Sequence, residues 1–373
     1  MKYNLSDICD YVRGKVDVAS LGYENYISTE NMISNKGGIT SASSLPCVAQ
    51  TQSFQVGDVL VSNIRPYFKK IWFAEFNGGC SNDVLVLRAK DGISKKFLYY
   101  VLTDDTFFNY SMITSKGTKM PRGDKAAIMK YEVPDFTYKE QEKIARILEA
   151  FDKKIQLNSN INDNLEQQAQ ELFSNFYERA TESVPFTSII QILGGGTPKT
   201  SESSYWNGDI PFFTPKDVGC PYTFMTEKTI TEDGLNHCNS RLYPVNTIFV
   251  TARGTVGKVG LSGVPMAMNQ SCYALVGKDI EQLLVYFYTL ETVNSLKHKA
   301  SGAVFDAITT KDFDYERVMF LSKNDSTVFL TIVSPIFKKI LSNCLENKKL
   351  AELRDSLLPK LMSGEIDVSA IKL

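Results

Sequence analysis

Residues 144–176 read IARILEAFDKKIQLNSNINDNLEQQAQELFSNF, and this stretch decides the architecture of the chain. Steps of four and three residues along it reach apolar residues with two asparagines in the middle: Ile144, Leu148, Phe151, Ile155, Asn158, Asn162, Leu165, Ala169, Leu172 and Phe176. Apolar residues at this spacing form the seam of a coiled coil. The stretch therefore predicts a long helix that pairs with another helix.

The same series returns 185 residues later. Its members are Phe329, Val333, Ile336, Ile340, Asn343, Asn347, Leu350, Arg354, Leu357 and Leu361. Arg354 is the one charged residue in this second series, whose other members are apolar residues and the two asparagines. Capping-box spacing precedes both series, from Thr137 to Glu140 and from Ser322 to Asp325. Pro335 falls where the first series has an alanine, so we expect the second helix to kink or restart there, with Ser334 as a new N-cap.

The two helices are predicted to pair antiparallel. If an approximate two-fold axis relates the halves of the chain, Asn158 faces Asn347 and Asn162 faces Asn343. Buried polar residues in a seam lower stability but fix the register. The alternative is that these asparagines face solvent or a partner protein. A helix of about 40 residues is roughly 60 Å long, so we also expect the pair to act as a stiff spacer.

The segments that precede the two helices repeat each other as well. Residues 56–65 and 245–253 each have the pattern of a buried strand that ends in a small polar residue and an arginine. A second strand is predicted at 83–87 and 272–276, followed by a helical stretch that should stop at Gly117 and at Gly302. The whole pattern predicts an α+β fold with a pseudo-two-fold internal repeat. Its parts are a first domain (residues 1–136), a long helix (137–180), a second domain (181–322), and a second long helix with the C-terminal tail (323–373).

Composition narrows the class of protein. A hydrophobic fraction of 43% and a charged fraction of 22% are ordinary for a globular protein. The sequence has no run of about 18 apolar residues and no signal peptide, so we expect no membrane association. Seven scattered cysteines suit a reducing cytoplasm better than a disulfide framework. The net charge of −1 counts mildly against DNA binding, although residues 115–130 carry five cations and one anion. Such a run is equally typical of a solvated face.

Motifs for catalysis or metal binding are each incomplete. Residues 254–259 resemble a phosphate-binding loop but have Ala252 and Val259 where glycine and a hydroxyl residue are needed. Asp152 and Lys154 have the residue types of a nuclease site but fall within the predicted helix. His237 and Cys238 have no second pair at zinc-ligand spacing. A loop for S-adenosylmethionine is missing, so we expect a protein that is not an enzyme and holds no metal.

The layout resembles the specificity subunit of Type I restriction–modification systems, over essentially the whole chain. The most specific stretches are residues 196–199 (GTPK), 247–257 (TIFVTARGTVG), 268–270 (MNQ) and above all 353–366 (LRDSLLPKLMSGEI). The resemblance implies that each domain reads one half of a split double-stranded DNA target. It also implies that the helices hold two adenine methyltransferase subunits, with restriction subunits added. S-adenosylmethionine, ATP and magnesium are then expected only in those partners, and no cofactor in this chain.

Cations and hydroxyls in loops beside the shared strands are the expected DNA contacts, because such groups bind phosphates and base edges. These residues are Arg65, Lys69, Lys116, Lys119 and Arg122 in the first domain, and Thr197, Lys199, Lys216, Arg253 and Lys258 in the second. Arg65 and Arg253 end the same strand in both halves, so they could instead stabilise the domains. The alternative function is a two-headed scaffold that contacts only proteins.

Overall fold

The computed structural model describes residues 2–219, 221–299, 307–369 and 371. The chain divides into two compact units: unit 1 is Met1–Gln156 with Lys348–Leu373, and unit 2 is Leu157–Asn347. The borders of these units fall inside the two long helices. The reason is that each unit joins one globular segment to the parts of both helices that pack on it.

The described residues in the globular part of unit 1 form ten short strands and four α-helices. The strands are β1 (Lys2–Asn4), β2 (Cys9–Tyr11), β3 (Lys15–Asp17), β4 (Tyr26–Ile27), β5 (Gln50–Phe54), β6 (Val59–Ser62), β7 (Ile71–Phe73), β8 (Gly78–Cys80), β9 (Val84–Ala89) and β10 (Glu132–Pro134). The helices are α1 (Leu5–Ile8), α2 (Lys95–Thr103), α3 (Asp105–Ile113) and α4 (Lys125–Ile128). The strands form sheets in the orders β2-β9-β6-β7, β3-β5-β8-β4 and β1-β10.

The globular part of unit 2 follows α5 (Tyr138–Arg179) and precedes α10 (Lys323–Ser363). Its strands are β11 (Glu182–Pro185), β12 (Ile190–Gly194), β13 (Trp206–Phe213), β14 (Tyr222–Thr223), β15 (Thr229–Ile230), β16 (Ile248–Thr251), β17 (Val259–Ser262), β18 (Ala267–Met268), β19 (Cys272–Gly277) and β20 (Arg317–Phe320). Its helices are α6 (Phe186–Ile189), α7 (Glu232–Asn236), α8 (Gln282–Lys299) and α9 (Thr310–Asp314). The sheets have the orders β12-β19-β16-β17-β14, β15-β13-β18 and β11-β20.

The sheet topology confirms the internal repeat. The order β2-β9-β6-β7 in unit 1 returns as β12-β19-β16-β17 in unit 2, and the pair β1-β10 returns as β11-β20. The predicted strands lie where the sequence places them, at β6, β9, β16 and β19. Mixed strands and helices in both units make the fold α+β.

The helical stretch of the first half differs from its prediction. It is two helices, α2 and α3, because the side chain of Asp104 accepts a hydrogen bond from the backbone N of Thr106 and caps a new helix (2.7 Å). The second of these ends at Ile113 rather than at Gly117. Gly117 instead has a φ of 93° in the turn between Lys116 and Arg122, whose backbones pair. The predicted stop at Ser301 and Gly302 lies outside the described residues.

Both long helices form, and α10 corrects one expectation. It runs without a break from Lys323 to Ser363, so it does not restart at Pro335 and Ser334 is not an N-cap. The proline is tolerated because it lies on the exposed face, where water can hydrogen-bond the carbonyl of Thr331 that loses its helical partner. The capping box before α5 is complete, with Glu140 N to Thr137 Oγ1 at 3.4 Å and Thr137 N to Glu140 Oε2 at 2.8 Å.

The asparagine layer in unit 2 confirms the antiparallel register. Asn158 Nδ2 donates to Asn347 Oδ1 at 2.9 Å, and Asn343 Nδ2 donates to Asn162 Oδ1 at 2.8 Å. Asn158, Asn162 and Asn343 are all buried. A shift of one turn would separate these amides in a buried seam, so the layer fixes the register.

The remaining seam residues are buried to different degrees. Ile144, Leu148, Phe329, Val333 and Ile340 are fully buried. The half-buried members are Phe151, Ile155, Leu165, Leu172, Phe176, Ile336, Leu350 and Leu357. Phe173, Phe337 and Leu358, each one residue past a predicted seam position, are buried instead. Towards their ends the helices also face the domain core, as the stacking of Phe173 on Phe287 shows (5.2 Å between ring centroids). The buried face is therefore wider there than a coiled-coil seam.

Arg354, the exception in the second seam, pairs within unit 1. Its Nη1 lies 2.6 Å from Asp152 Oδ1, and the hydroxyl of Tyr100 donates to Asp152 Oδ2 at 2.7 Å. Burial alone would lower the pKa of Arg354, but the hydrogen bond and charge of Asp152 raise it. Asp152 lies in α5, as the sequence predicts, and its carboxylate bonds one residue of α2 and one residue of α10.

By length and composition α10 is apolar enough to cross a membrane, with a mean hydropathy of 1.5 over a window of which 28% is buried. One such helix is weak evidence, since a core helix meets the same criterion. Phe329, Val333 and Ile340 of α10 lie in the core of unit 2. The absence of a spanning segment stays a prediction.

Candidate nucleic-acid interface

Three loops of the second domain meet at one edge of the five-stranded sheet. Strands β12 and β16 both end beside the start of β19, with Gly194 opposite Tyr273 and Thr251 opposite Cys272. The loops that leave or enter these strands therefore lie side by side. They contain Thr197, Lys199, Arg253 and Lys258, all of which are exposed. The structure thus brings four of the five predicted residues to neighbouring loops.

Two of the sequence motifs are in direct contact at this edge. Gly196 N donates to Met268 O at 3.1 Å, and the side chains of Thr197 and Gln270 are hydrogen-bonded. A Cβ added to Gly195 would lie 2.3 Å from Asn269 O, so only glycine permits this approach. The motifs at 196–199 and 268–270 therefore form one surface.

The glycine-rich turn at 254–258 joins β16 to β17. The backbone N of Lys258 donates to Thr251 Oγ1 at 2.9 Å, which closes the turn, and Gly254 and Gly257 take φ of 81° and 74°. A phosphate-binding loop leads from a strand into a helix, whereas this turn links two strands. The turn instead presents the side chains of Arg253 and Lys258 to solvent.

Lys216 lies in the loop after β13. The last residue of that strand, Phe213, accepts a hydrogen bond from Asn269 N at 2.9 Å. The ammonium of Lys216 lies 3.6 Å from a carboxylate oxygen of Glu227, and both side chains are exposed. Exposed pairs of this kind contribute about 0–1 kcal/mol, so the pair does not prevent another anion from binding Lys216.

Sheet register corrects the supposed equivalence of Arg65 and Arg253. Ser62 pairs with Val84 as Thr251 pairs with Cys272, so the two strand ends are equivalent. Counting onward, Arg253 corresponds to Ile64, and Arg65 corresponds to Gly254. The one-residue drift of the repeat arises after this strand, in the turn that leads to the next one. The offset is 189 between β6 and β16 but 188 between β7 and β17. Arg65 and Arg253 therefore do not share a position from which both could stabilise their domains in the same way.

Arg65 and Lys69 have an unusual backbone. Both have a φ of 49°, in the left-handed region that side chains disfavour, and Gly254 and Gly257 occupy the corresponding places in the second domain. The backbone N of Arg65 donates to Pro121 O at 2.8 Å. Its Nε is buried and has no hydrogen-bond partner among the described residues. The first domain thus keeps two cations where glycine would be less strained.

Three of the predicted cations of the first domain are held by carboxylates. Lys69 lies 2.8 Å from Asp105, and Arg122 lies 3.1 Å from Asp83. Lys116 lies 2.6 Å from Asp124, whose pKa is lowered to about 2 by the hydrogen bond from Lys116 and by two backbone amides. Lys119 is exposed in the same loop. Each pair holds its cation in place but is itself formally neutral, so a DNA phosphate would have to compete with the carboxylate.

Sequence reasoning missed two cations, Arg13 and Lys15. Tyr11 pairs with Leu87 as Ile192 pairs with Leu275, so the residues after β2 correspond to those after β12. Residues 13–15 (RGK) therefore take the place of the triple glycine at 194–196. The missed signal was the single glycine at position 14, which follows a strand as the triple glycine does.

Comparison with known proteins agrees with this arrangement. The model of the Type I restriction modification DNA specificity domain matches residues 1–167 and again 179–354. The chain belongs to this family. It carries two copies of the DNA specificity domain, which accounts for the internal repeat.

Relatives extend the match to full length. The specificity subunit of the Type I restriction enzyme HindI from Haemophilus influenzae is 25% identical, covering 98% of this chain and 99% of that protein. The EcoR124I/EcoR124II specificity subunit of Escherichia coli is 31% identical over 47% of this chain and 46% of its own length. A solved Type I S subunit from M. genitalium shares the fold, with a TM-score of 0.56, 17% identity, and coverage of 97% and 96%.

Proposed function

We propose that this specificity subunit reads a DNA target in two separate parts, one with each domain, and brings adenine methyltransferase and restriction subunits to it. The observation that supports this best is the pair of equivalent loop edges with different side chains. The second domain offers Thr197, Gln270 and Arg253, and the first offers Arg13, Asn82 and Arg65. One scaffold with two sets of contacts suits a target whose halves differ in sequence.

The chain is further proposed to have no catalytic site. Methyl transfer needs bound S-adenosylmethionine and ATP hydrolysis needs a phosphate-binding loop, and the sequence of the chain has neither loop. S-adenosylmethionine, ATP and magnesium would then be bound by partner subunits, in the cytoplasm. The purified chain should neither methylate nor cut DNA, and methyl transfer by the chain at high purity would contradict this proposal.

The long helices are proposed to hold the methyltransferase subunits. Leu157 and Ile161 stand one turn apart on α5 with 57% and 45% of their surface exposed. Apolar side chains in a row on an exposed helix face are typical of a protein contact. Replacing both with glutamine should weaken capture of the methyltransferase and leave the fold unchanged, because neither side chain lies in the core.

Methylome sequencing of the host, with and without this gene, tests the function. We expect one bipartite motif to lose its methylation when the gene is removed. A mobility-shift assay with the partner methyltransferase should then show a shift that is selective for that motif. A scaffold that contacts only proteins would give neither result, even at low salt.

A further inference from the structure

A cleft of about 640 Å³ lies in unit 1 beside the segment that follows β2. Its lining comes from this segment, from β5, from the turn at Asn82 and from the first turn of α4. The described lining residues include three cations, Arg13, Lys15 and Lys125, and no carboxylate. The three cations are exposed, and none has an ion pair within the described part of the chain. Their mutual repulsion is therefore offset only by solvent.

The walls of this cleft are held by specific hydrogen bonds. Gln52 Nε2 donates to Val12 O at 2.9 Å, which fixes the chain just before Arg13. The hydroxyl of Tyr11 donates to Lys125 O at 3.1 Å and ties the start of α4 to β2. Burial raises the pKa of Tyr11, so the hydroxyl remains a donor at any physiological pH. The backbone that carries Arg13 and Lys125 is thus positioned before any ligand arrives.

The same place is closed in the second domain. There the equivalent of residues 13–15 is the triple glycine, and Gly195 packs so closely that a Cβ would lie 2.3 Å from Asn269 O. Asn82 corresponds to Gln270, and both are exposed, but only the side chain of Gln270 is hydrogen-bonded, to Thr197, among the described residues. The cleft and its cations are therefore particular to the first domain.

The cleft is continuous with the candidate interface. Asn82 lines it, and the next residue, Asp83, binds Arg122 and accepts a hydrogen bond from Asn63 N at 2.8 Å. We propose that this cleft holds the phosphodiester backbone of DNA next to the half-target that the first domain reads. Arg13, Lys15 and Lys125 are its phosphate contacts. This inference rests on the proposed function and assigns to one domain a larger share of the sequence-independent affinity.

The test compares the wild-type chain with an R13A/K15A/K125A variant, each in complex with the partner methyltransferase. Affinity is measured as a function of salt for a duplex with the methylome-derived target and for one with a scrambled half-site. Each phosphate contact adds about 0.9 to the slope of log affinity against log salt. The slope should therefore fall by about 2.7 for both duplexes, and the preference for the target should be unchanged.

Lys130→Ala is the matched control, because Lys130 is an exposed cation of the same unit outside the cleft. It should leave the slope within about 0.3 of wild type. An unchanged slope in the triple variant, a loss confined to the target duplex, or an equal loss in K130A would each overturn the inference. The proposed function fails instead if the wild-type complex shows no preference for the target. Circular dichroism and the melting temperature of the triple variant should match wild type, since all three side chains are exposed.

Discussion

Arg65 in the first domain occupies the backbone position that Gly254 occupies in the second, and both are left-handed, with φ of 49° and 81°. A residue with a Cβ in this region costs roughly 1–2 kcal/mol relative to the right-handed region. Glycine avoids that cost. A strained cation whose buried Nε has no hydrogen-bond partner in the described part of the chain is typical of a residue retained for binding rather than for stability.

Two substitutions of Arg65 should separate strain from binding. Both R65A and R65G remove the guanidinium, so both should weaken DNA binding by the complex to the same extent. Only R65G relieves the strain of the backbone. Glycine also gives the unfolded chain more conformational freedom, which lowers stability by about 0.5–1 kcal/mol. We expect R65G to be more stable than R65A by about 0.5–1 kcal/mol. Thermal unfolding and mobility shifts measure the two effects.

The reciprocal change at Gly254 is the control. A Cβ there meets no atom within 4 Å, so G254A tests the backbone conformation alone. It should lower stability by about 1 kcal/mol. An R65G variant that is less stable than R65A would show that the left-handed conformation is not strained, and would remove this argument for a binding role.

The asparagine layer should respond differently to single and double substitution. N162L leaves the buried Asn343 Nδ2 without its acceptor, which costs about 1–3 kcal/mol. In N162L/N343L both amides are gone and the seam becomes apolar, so stability should return close to wild type or exceed it. Amide hydrogen exchange in unit 2 reports the change locally, which is needed because a chain of two units need not unfold in one step.

If the double variant lost as much stability as the two single variants together, the result would contradict a direct bond between the two amides. N158L gives a second pair for comparison, since Asn158 Nδ2 donates to Asn347 and also to Glu346 at 2.8 Å. Because Asn158 Nδ2 has two acceptors, N158L leaves both of them without this donor. A single second substitution should therefore recover less of the stability that N158L loses.

The asparagine layer was predictable from sequence because period and repeat act together there. Two asparagines at the same steps of two series, under a two-fold relation, allow only one antiparallel register. Pro335 misled the same reasoning, because its effect depends on whether the carbonyl four residues earlier faces water. Whether that carbonyl faces water depends on the tertiary structure, which the local sequence pattern does not contain.

The candidate DNA contacts were less accessible to sequence. From sequence alone the repeat offset at β6 and β16 is either 188 or 189. This difference of one residue decides whether Arg65 or Ile64 is the counterpart of Arg253. Only the hydrogen-bonded register resolves it. Arg13 and Lys15 were missed because the first domain has RGK where the second has a triple glycine. This replacement keeps the sheet topology but removes the glycine motif from the sequence.

The pair of Asp152 and Arg354 should couple energetically. R354L supplies the apolar residue that is expected at this seam position, but it leaves the Asp152 carboxylate bonded only to the hydroxyl of Tyr100 among the described residues. Because the two side chains are 31% and 22% exposed, solvent screens the pair, and we expect a loss of about 1–2 kcal/mol rather than that of a fully buried pair. D152A/R354L should recover part of this loss, giving a coupling of at least 0.5 kcal/mol in a double-mutant cycle. Additive effects of the two substitutions would contradict it.

Gly195 offers a test of whether the loop edge of the second domain reads DNA. In G195A the new Cβ would lie 2.3 Å and 2.5 Å from the backbone oxygens of Asn269 and Met268, so these loops must move apart. Such overpacking costs about 1–3 kcal/mol and would displace the bonded pair of Thr197 and Gln270. We expect methylation of the full target to fall at least tenfold, with weaker discrimination only against changes in the half that the second domain reads. G194A is the matched control, since its Cβ meets no atom within 4 Å. The complex that contains G194A should methylate the target at the wild-type rate. If G195A were destabilised yet kept full discrimination at both halves, these loops would be structural and the contacts with DNA would lie elsewhere in the domain.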